Sequence, residues 1–296
     1  MTAAPQVLCI GAVLWDVIGR STAPMTHGDD VPGRIRHLPG GVALNVALAL
    51  ARRGWRAAVL GAIGRDAEGE ALAAAVAAQG VDTRWLTQGA GPTDVYMAIE
   101  DSHGLVAAIA DAHSLERAGA AVWSALADGR LGALDRPWTG PVVLDGNLTA
   151  GQLAAAAADP ALAAADLRVV PASPGKADRL TPLLNRPRVT LYLNRAEAET
   201  LAGHPCADAA GAAAAVAARG AGRVLVTDGA RPAACAVAGR PVLTAAPPTV
   251  TLARVTGAGD CFMAAHLVAE HGGADRQAAL DAAVAAAAAH VAGADT

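Results

Sequence analysis

Along most of this chain, short apolar runs alternate with longer alanine-rich stretches bounded by glycine, proline or polar residues. Val7–Val13 is an apolar run with a glycine inside and reads as a buried first strand. Ile18–Leu38 is polar and carries proline and glycine, and within it Arg34-Ile35-Arg36-His37-Leu38 alternates like a half-exposed strand. Gly40-Gly41 precedes Val42–Arg53, which is apolar nearly all round and predicts a buried helix. Ala57–Leu60 reads as a strand, and Glu68–Gln79 as a helix closed by Gly80. Val95–Ile99 and Leu105–Ile109 flank Glu100-Asp101-Ser102-His103-Gly104, the pattern of a β-hairpin. From residue 120 onwards strands and alanine-rich helices alternate, with Val142–Leu144, Arg168–Pro171, Thr190–Leu193 and Val224–Thr227 as the strands.

Such alternation predicts an α/β fold with a mostly parallel central sheet and helices on both faces. The early antiparallel pieces, about 14–38 and 93–112, are expected to form a small β-sheet lid over one end of it. With no repeat or disordered linker in view, residues 1–296 are expected to form a single α/β domain carrying that inserted lid. Ligands of such folds bind beyond the carboxyl ends of the strands.

Composition narrows the function classes. The apolar fraction of 53% is inflated by alanine, and only 3% of residues are aromatic, so helices must pack closely through small side chains. The net charge of −4, with Lys176 the only lysine, argues against a nucleic-acid or anionic-membrane partner. Cys9, Cys206, Cys235 and Cys261 are scattered without metal-ligand spacing, which argues against zinc and a disulfide framework and fits a reducing compartment. The N-terminus lacks the features of a signal peptide and the alanine-rich runs are broken by Asp, Pro or His, so a cytoplasmic protein is expected.

Four places carry candidate chemistry. Val255-Thr256-Gly257-Ala258-Gly259-Asp260 opens an apolar helix, so its backbone amides and the helix dipole form an anion hole, with Asp260 placed to accept a proton. A plain turn with an acidic helix-start residue is the competing reading. Asn194-Arg195-Ala196-Glu197 follows a strand and sets Asn194 and Glu197 on one helix face, where they can hold a hydrated Mg²⁺, form a capping box, or both. Val224–Gly229 runs a buried strand into a glycine turn that can meet nucleotide phosphates with Thr227 and Gly229, or simply exit the sheet. Asp16, Gly40, Gly41 and Asn45 lie near the expected lid and suit a polyhydroxylated ligand. A helix-capping or packing role is the alternative for Asn45.

In this order, Pro39–Asn45, the stretch Gly61–Gly69 leading to Gly80–Thr83, Asn194–Glu197 and Gly257–Asp260 resemble the signatures of the PfkB/ribokinase family of carbohydrate and nucleoside kinases. The resemblance implies a ribokinase-like three-layer fold and ATP-dependent phosphorylation of a primary hydroxyl on a small nucleoside or sugar. By family role Asp260 would be the base and Gly257, Ala258 and Gly259 the anion hole. Asn194 and Glu197 would organise Mg²⁺ through water, Thr227, Gly229 and Asn194 would touch ATP, and Asp16, Gly40, Gly41 and Asn45 would hold the substrate. The Val-Thr-Gly-Ala-Gly-Asp ending and the Ala107–Asp111 hairpin are similar to pseudouridine kinases, whereas Leu14-Trp15-Asp16 departs from the Asn-x-Asp more often seen there. Trp15 would either stack on a base or pack the lid. Arg231-Pro232 stands where family members often carry an extra glycine. Arg254 occupies the place of an acidic residue in K⁺-activated members, so little K⁺ activation is expected. Exposed lid strands would favour a homodimer.

Three rivals are weaker. Gly175-Lys176-Ala177 lacks the hydroxyl residue of a P-loop, and Gly11-Ala12-Val13-Leu14 does not supply the dinucleotide fingerprint of an oxidoreductase. Retention of Asp260, Glu197 and the loop glycines argues against a non-catalytic sensor.

Overall fold

The computed structural model describes residues 4–253 and 256–294. Its first half contributes β1 (Val7–Ile10), β2 (Leu14–Arg20), β3 (Arg34–Gly40), helix α1 (Val42–Arg52), β4 (Ala57–Leu60) and β5 (Ala62–Gly64). Helix α2 (Ala67–Ala77) and β6 (Thr87–Gly89) lead to the hairpin β7 (Val95–Asp101) and β8 (Gly104–Asp111), then to the short α3 (Ser114–Ala118). The strand–helix alternation resumes with β9 (Pro141–Asp145), α4 (Ala150–Ala158), β10 (Asp166–Val170), β11 (Val189–Asn194), α5 (Arg195–Ala202) and α6 (Ala209–Ala218). The end of the chain adds β12 (Arg223–Asp228), β13 (Arg231–Val237), β14 (Leu243–Ala245), α7 (Ala258–His271) and α8 (Arg276–Val291).

Eight strands build the central sheet in the order β14-β13-β12-β11-β10-β9-β1-β4. Every pairing from β4 to β12 is parallel, and only β13 and β14 add antiparallel edges. The period of two along each strand sorts side chains into two apolar layers. Leu8, Ile10, Leu144, Leu167, Leu191 and Val224 meet α4, α5 and α6 on one face. Val7, Cys9, Val59, Val143, Tyr192 and Leu225 meet α1, α7 and α8 on the other. Strands buried on both faces are why β1 and β4 are apolar at every position.

A second sheet, β3-β2-β7-β8, forms the lid. It is mixed, because β2 pairs with β7 in parallel while the other two pairings are antiparallel. Its register puts Asp16, Ile18 and the buried Ala98 on one face, and Val17, Met97, Ile99 and Ile109 on the other. The lid is anchored at its base. Asp66 caps α2 through the Gly69 amide at 2.8 Å and also accepts from the Thr93 amide at 2.7 Å. The Asp94 carbonyl receives the Trp15 amide at 3.1 Å.

Three expectations shift. The run Val7–Val13 is not one strand: β1 stops at Ile10, since the Ala12 amide turns away to Asp145 and the chain re-enters the lid at Leu14. The strand expected at Arg168–Pro171 begins at Asp166, whose carboxylate is held by the Arg168 guanidinium and so tolerates the strand start. Strands β13 and β14 had no apolar alternation to announce them. Alanine carries little strand signal, and Pro232 is accommodated because its strand lies near the sheet edge.

Candidate active site

The carboxyl ends of β1 and β9 and the amino end of α1 meet around one buried carboxylate. Asp145, the last residue of β9, accepts from the amides of Ala12 at 3.0 Å, Ala43 at 2.9 Å and Asn147 at 2.8 Å. Gly41 is the N-cap of α1 and supplies no side-chain cap, so Asp145 satisfies the first turn from a distance of 102 residues in sequence. Burial raises its pKa above the usual carboxylate range even against those donors. Asp145 was not among the residues singled out from the sequence. The available signal was a carboxylate ending the apolar run Pro141-Val142-Val143-Leu144 at the ligand-binding edge of the sheet.

The two glycines before α1 are required by close approach. Gly41 has φ +104, and a Cβ there would lie 2.2 Å from the Ala12 carbonyl oxygen. A Cβ on Gly40 would lie 2.1 Å from Asp16 Oδ2, so the Asp16 carboxylate rests directly on the Gly40 backbone. Burial pushes Asp16 up to about 6. Gly40, Gly41 and Asp16 are thereby brought together as the sequence led one to expect.

Helix α7 enters from the opposite side. Gly257 holds φ +86 as its N-cap, with no side-chain cap, leaving the amides of the first turn around Ala258 and Gly259 without helical partners. His290 of α8 braces this loop: its Nε2 lies 2.9 Å from the Thr256 carbonyl, and a Cβ on Gly257 would come 3.1 Å from the same nitrogen. Asp260 follows in the first turn and accepts a hydrogen bond from the Asn45 side chain of α1. Desolvation pushes Asp260 up to about 7; Asn45 pulls it down, and the charges of Asp145 and Glu197 push it further up. Asn45 is therefore neither a cap nor a packing residue, because its amide joins the two helices at the carboxylate. Arg254 and Val255 lie outside the described residues.

Two strands beyond β9, Asn194 ends β11 and caps α5. Its Oδ1 accepts the Glu197 amide at 2.9 Å while Glu197 Oε2 accepts the Asn194 amide at 2.8 Å, a complete capping box. Burial raises the Glu197 pKa. Its second carboxylate oxygen takes no hydrogen bond among the described residues, and no cluster of three or more acidic, His or Cys ligands occurs among them. One carboxylate oxygen at a helix start, with no cage, matches the needs of a Mg²⁺ ion that keeps most of its waters.

Thr227 of β12 pairs in register with Asn194. Gly229 has φ +61 in the β12–β13 turn, with nothing within 4 Å of where a Cβ would stand, so that turn is open. Arg231 follows it directly and contacts Asp228 at 2.8 Å, while Arg195 approaches the same carboxylate at 3.2 Å. Asn194 on β11 and Thr227 on β12 thus sit three and four strand spacings from β1, roughly 14–19 Å. Asp260 feels the charges of both Asp145 and Glu197.

Two further side chains complete the edge. Lys176, in the segment after β10, donates to Asn147 Oδ1 at 2.6 Å, and its pKa is lowered by burial and by Arg179. Nothing in the sequence pattern marks Lys176 as a site residue; the fold places it beside the Asp145 turn. Trp15 donates its indole N–H to the Glu68 carbonyl at 3.0 Å and packs against the core, which assigns it to lid packing.

Comparison with known proteins bears on the family and the fold. Over 66 residues the chain is 41% identical to pseudouridine kinase of Escherichia coli (strain K12), a stretch covering 22% of this chain and 21% of that protein. A carbohydrate kinase from Agrobacterium tumefaciens superposes with a TM-score of 0.73 at 27% identity, covering 95% of this chain and 89% of that one. Arabidopsis thaliana ribokinase complexed with ribose and ATP gives a TM-score of 0.78 at 22% identity, with 98% and 93% covered. Adenosine kinase from Sinorhizobium meliloti gives 0.76 at 20% identity, with 98% and 94% covered. The pfkB family carbohydrate kinase model matches residues 4–296, and the chain belongs to that family.

Proposed function

We propose that this kinase transfers the γ-phosphoryl group of ATP to the 5′-hydroxyl of a nucleoside, with pseudouridine as the substrate. The observation that carries the transfer chemistry is Asp260, a carboxylate pushed up to about 7 at the mouth of an uncapped helix start. A base with a pKa near neutrality combines a sizeable ionised fraction with real proton affinity, which general-base catalysis favours. The amides of Gly257, Ala258 and Gly259 converge where charge develops on the transferring group. Asp16, Gly40, Gly41 and Asn45 hold the acceptor sugar; two neighbouring hydroxyls fit one carboxylate. Asn194, Thr227 and Gly229 meet the nucleotide, and Lys176 adds positive charge at the same edge. Glu197 and Asn194 would hold hydrated Mg²⁺, which neutralises phosphate charge.

The nucleoside assignment rests on the 66-residue likeness to pseudouridine kinase together with the Ala107–Asp111 hairpin. The exposed outer lid face, with Ile35, Met97, Ile99 and Ile109, supports pairing of two lids in a homodimer, measurable by light scattering. No described helix is long and apolar enough to cross a membrane. An ADP-release assay over nucleosides and sugars tests the substrate. Pseudouridine should exceed free ribose in kcat/KM by about two orders of magnitude, because a base edge unmatched by the ligand leaves buried polar groups unpaired. Comparable rates with ribose, fructose or 2-keto-3-deoxygluconate would make the chain a simple sugar kinase instead.

A further inference from the structure

At the amino ends of β10, β11 and β12, on the edge of the sheet opposite Asp260, lies a groove of about 750 Å³. Four arginines line it: Arg188, Arg223, Arg240 and Arg276. One carboxylate, Asp166, lines it and a second, Glu270, is bound to the lining Arg223; both are already compensated. Asp166 is paired to the buried Arg168 at 2.6 Å, and Glu270 to Arg168 at 2.6 Å and to Arg223 through both of its oxygens. Those contacts hold Glu270 far down, at about 2, so it stays ionised and committed. Arg188, Arg240 and Arg276 are left with no carboxylate partner among the described residues. Arg276 Nε is moreover a buried nitrogen with no hydrogen-bond acceptor among them. Three uncompensated guanidiniums therefore gather in one groove on a chain whose net charge is −4. Arg188 is presented by a backbone at φ +59, a conformation that side-chain-bearing residues rarely adopt.

Guanidinium forks match phosphate oxygens two at a time, and convergent arginines are the usual solution for binding phosphate monoesters. The volume is that of a small-molecule site. We propose that this groove binds a phosphate-bearing small molecule, separately from the catalytic centre. Helix α7 joins the two places: Asp260 lies in its first turn, and His271, its last residue, lines the groove. At 1.5 Å per residue the helix sets Asp260 and His271 roughly 16 Å apart.

Calorimetric titration with pyrophosphate at constant ionic strength tests the site. The comparison is wild type, Arg188→Gln/Arg240→Gln and Asp260→Asn. The expected result is one binding event in wild type, weakened by about tenfold or more in the double variant and unchanged in Asp260→Asn. Basal turnover without pyrophosphate should be the same in the double variant as in wild type, because neither arginine touches the catalytic edge. Both arginines are exposed, and a melting curve checks that the double variant folds. Arg276→Met, tested alongside, should also weaken binding. Binding unaltered in the double variant, binding lost in Asp260→Asn, or no heat up to about 10 mM would overturn the proposal. Equal competition by chloride would do so as well. Inorganic phosphate and a sugar phosphate, titrated in parallel, identify the source: tighter binding of the ester points to an organic phosphate, and the reverse order to free phosphate.

Discussion

If Asp260 is the base, the pH-rate profile and the stability of Asp260→Asn must change together. Its carboxyl is raised from 3.8 to about 7 in the folded protein. With only the carboxylate active, the active fraction falls to roughly 10% at pH 6 and 1% at pH 5, so kcat/KM should drop about tenfold per unit below 7. The same shift means that ionising Asp260 costs folding stability. A raised carboxyl favours the fold at low pH, and that advantage is lost as pH rises through about 7. Three units correspond to about 4 kcal/mol as an upper limit, and the partial exposure of the side chain lowers it. Asp260→Asn should therefore cut kcat by roughly 10²-fold or more while raising Tm by several degrees at pH 8. That gain in Tm should shrink steadily towards pH 5. Steady-state rates from pH 5 to 9, with scanning calorimetry of both proteins, read the two effects. A flat acid limb, or wild-type turnover in a folded Asp260→Asn, would refute the assignment.

Glu197→Gln should raise the Mg²⁺ concentration for half-maximal rate, since one negative charge organising the hydrated ion is lost. An unchanged Mg²⁺ titration with a lowered Tm would reduce Glu197 to the capping role seen in its hydrogen bonds. Lys176→Met should lower kcat by about tenfold or more with a smaller change in nucleoside KM, as expected for charge met only in transfer; wild-type kcat would leave it a partner of Asn147 alone. Trp15→Ala should destabilise by about 2 kcal/mol and affect every substrate alike, because the indole is tied to Glu68 and packs the lid; a loss confined to nucleosides would restore the stacking role.

Local pattern was enough for much of this protein. The helix from Val42, the strand Ala57–Leu60, the lid hairpin and the later strand cores all appear where apolar period and turn residues place them, because each signal is carried by neighbours in sequence. The local forms of the candidate loops at Gly40-Gly41, Asn194–Glu197 and Gly257–Asp260 were legible for the same reason: glycine freedom, capping pairs and helix starts are short-range properties. What needed the tertiary structure was every relation across the chain. Whether Asn45 caps, packs or reaches a carboxylate depends on α7 lying against α1, 215 residues away, and no local pattern encodes that. Asp145 became a cap for α1 only when β9 came to lie beside β1. Trp15 was assigned to packing by a carbonyl of α2, and the arginine groove exists only because four distant segments end at one edge of the sheet. Backbone conformation follows from local sterics and solvent exposure, whereas charge compensation and pKa depend on what surrounds a group in space, which folding alone brings together.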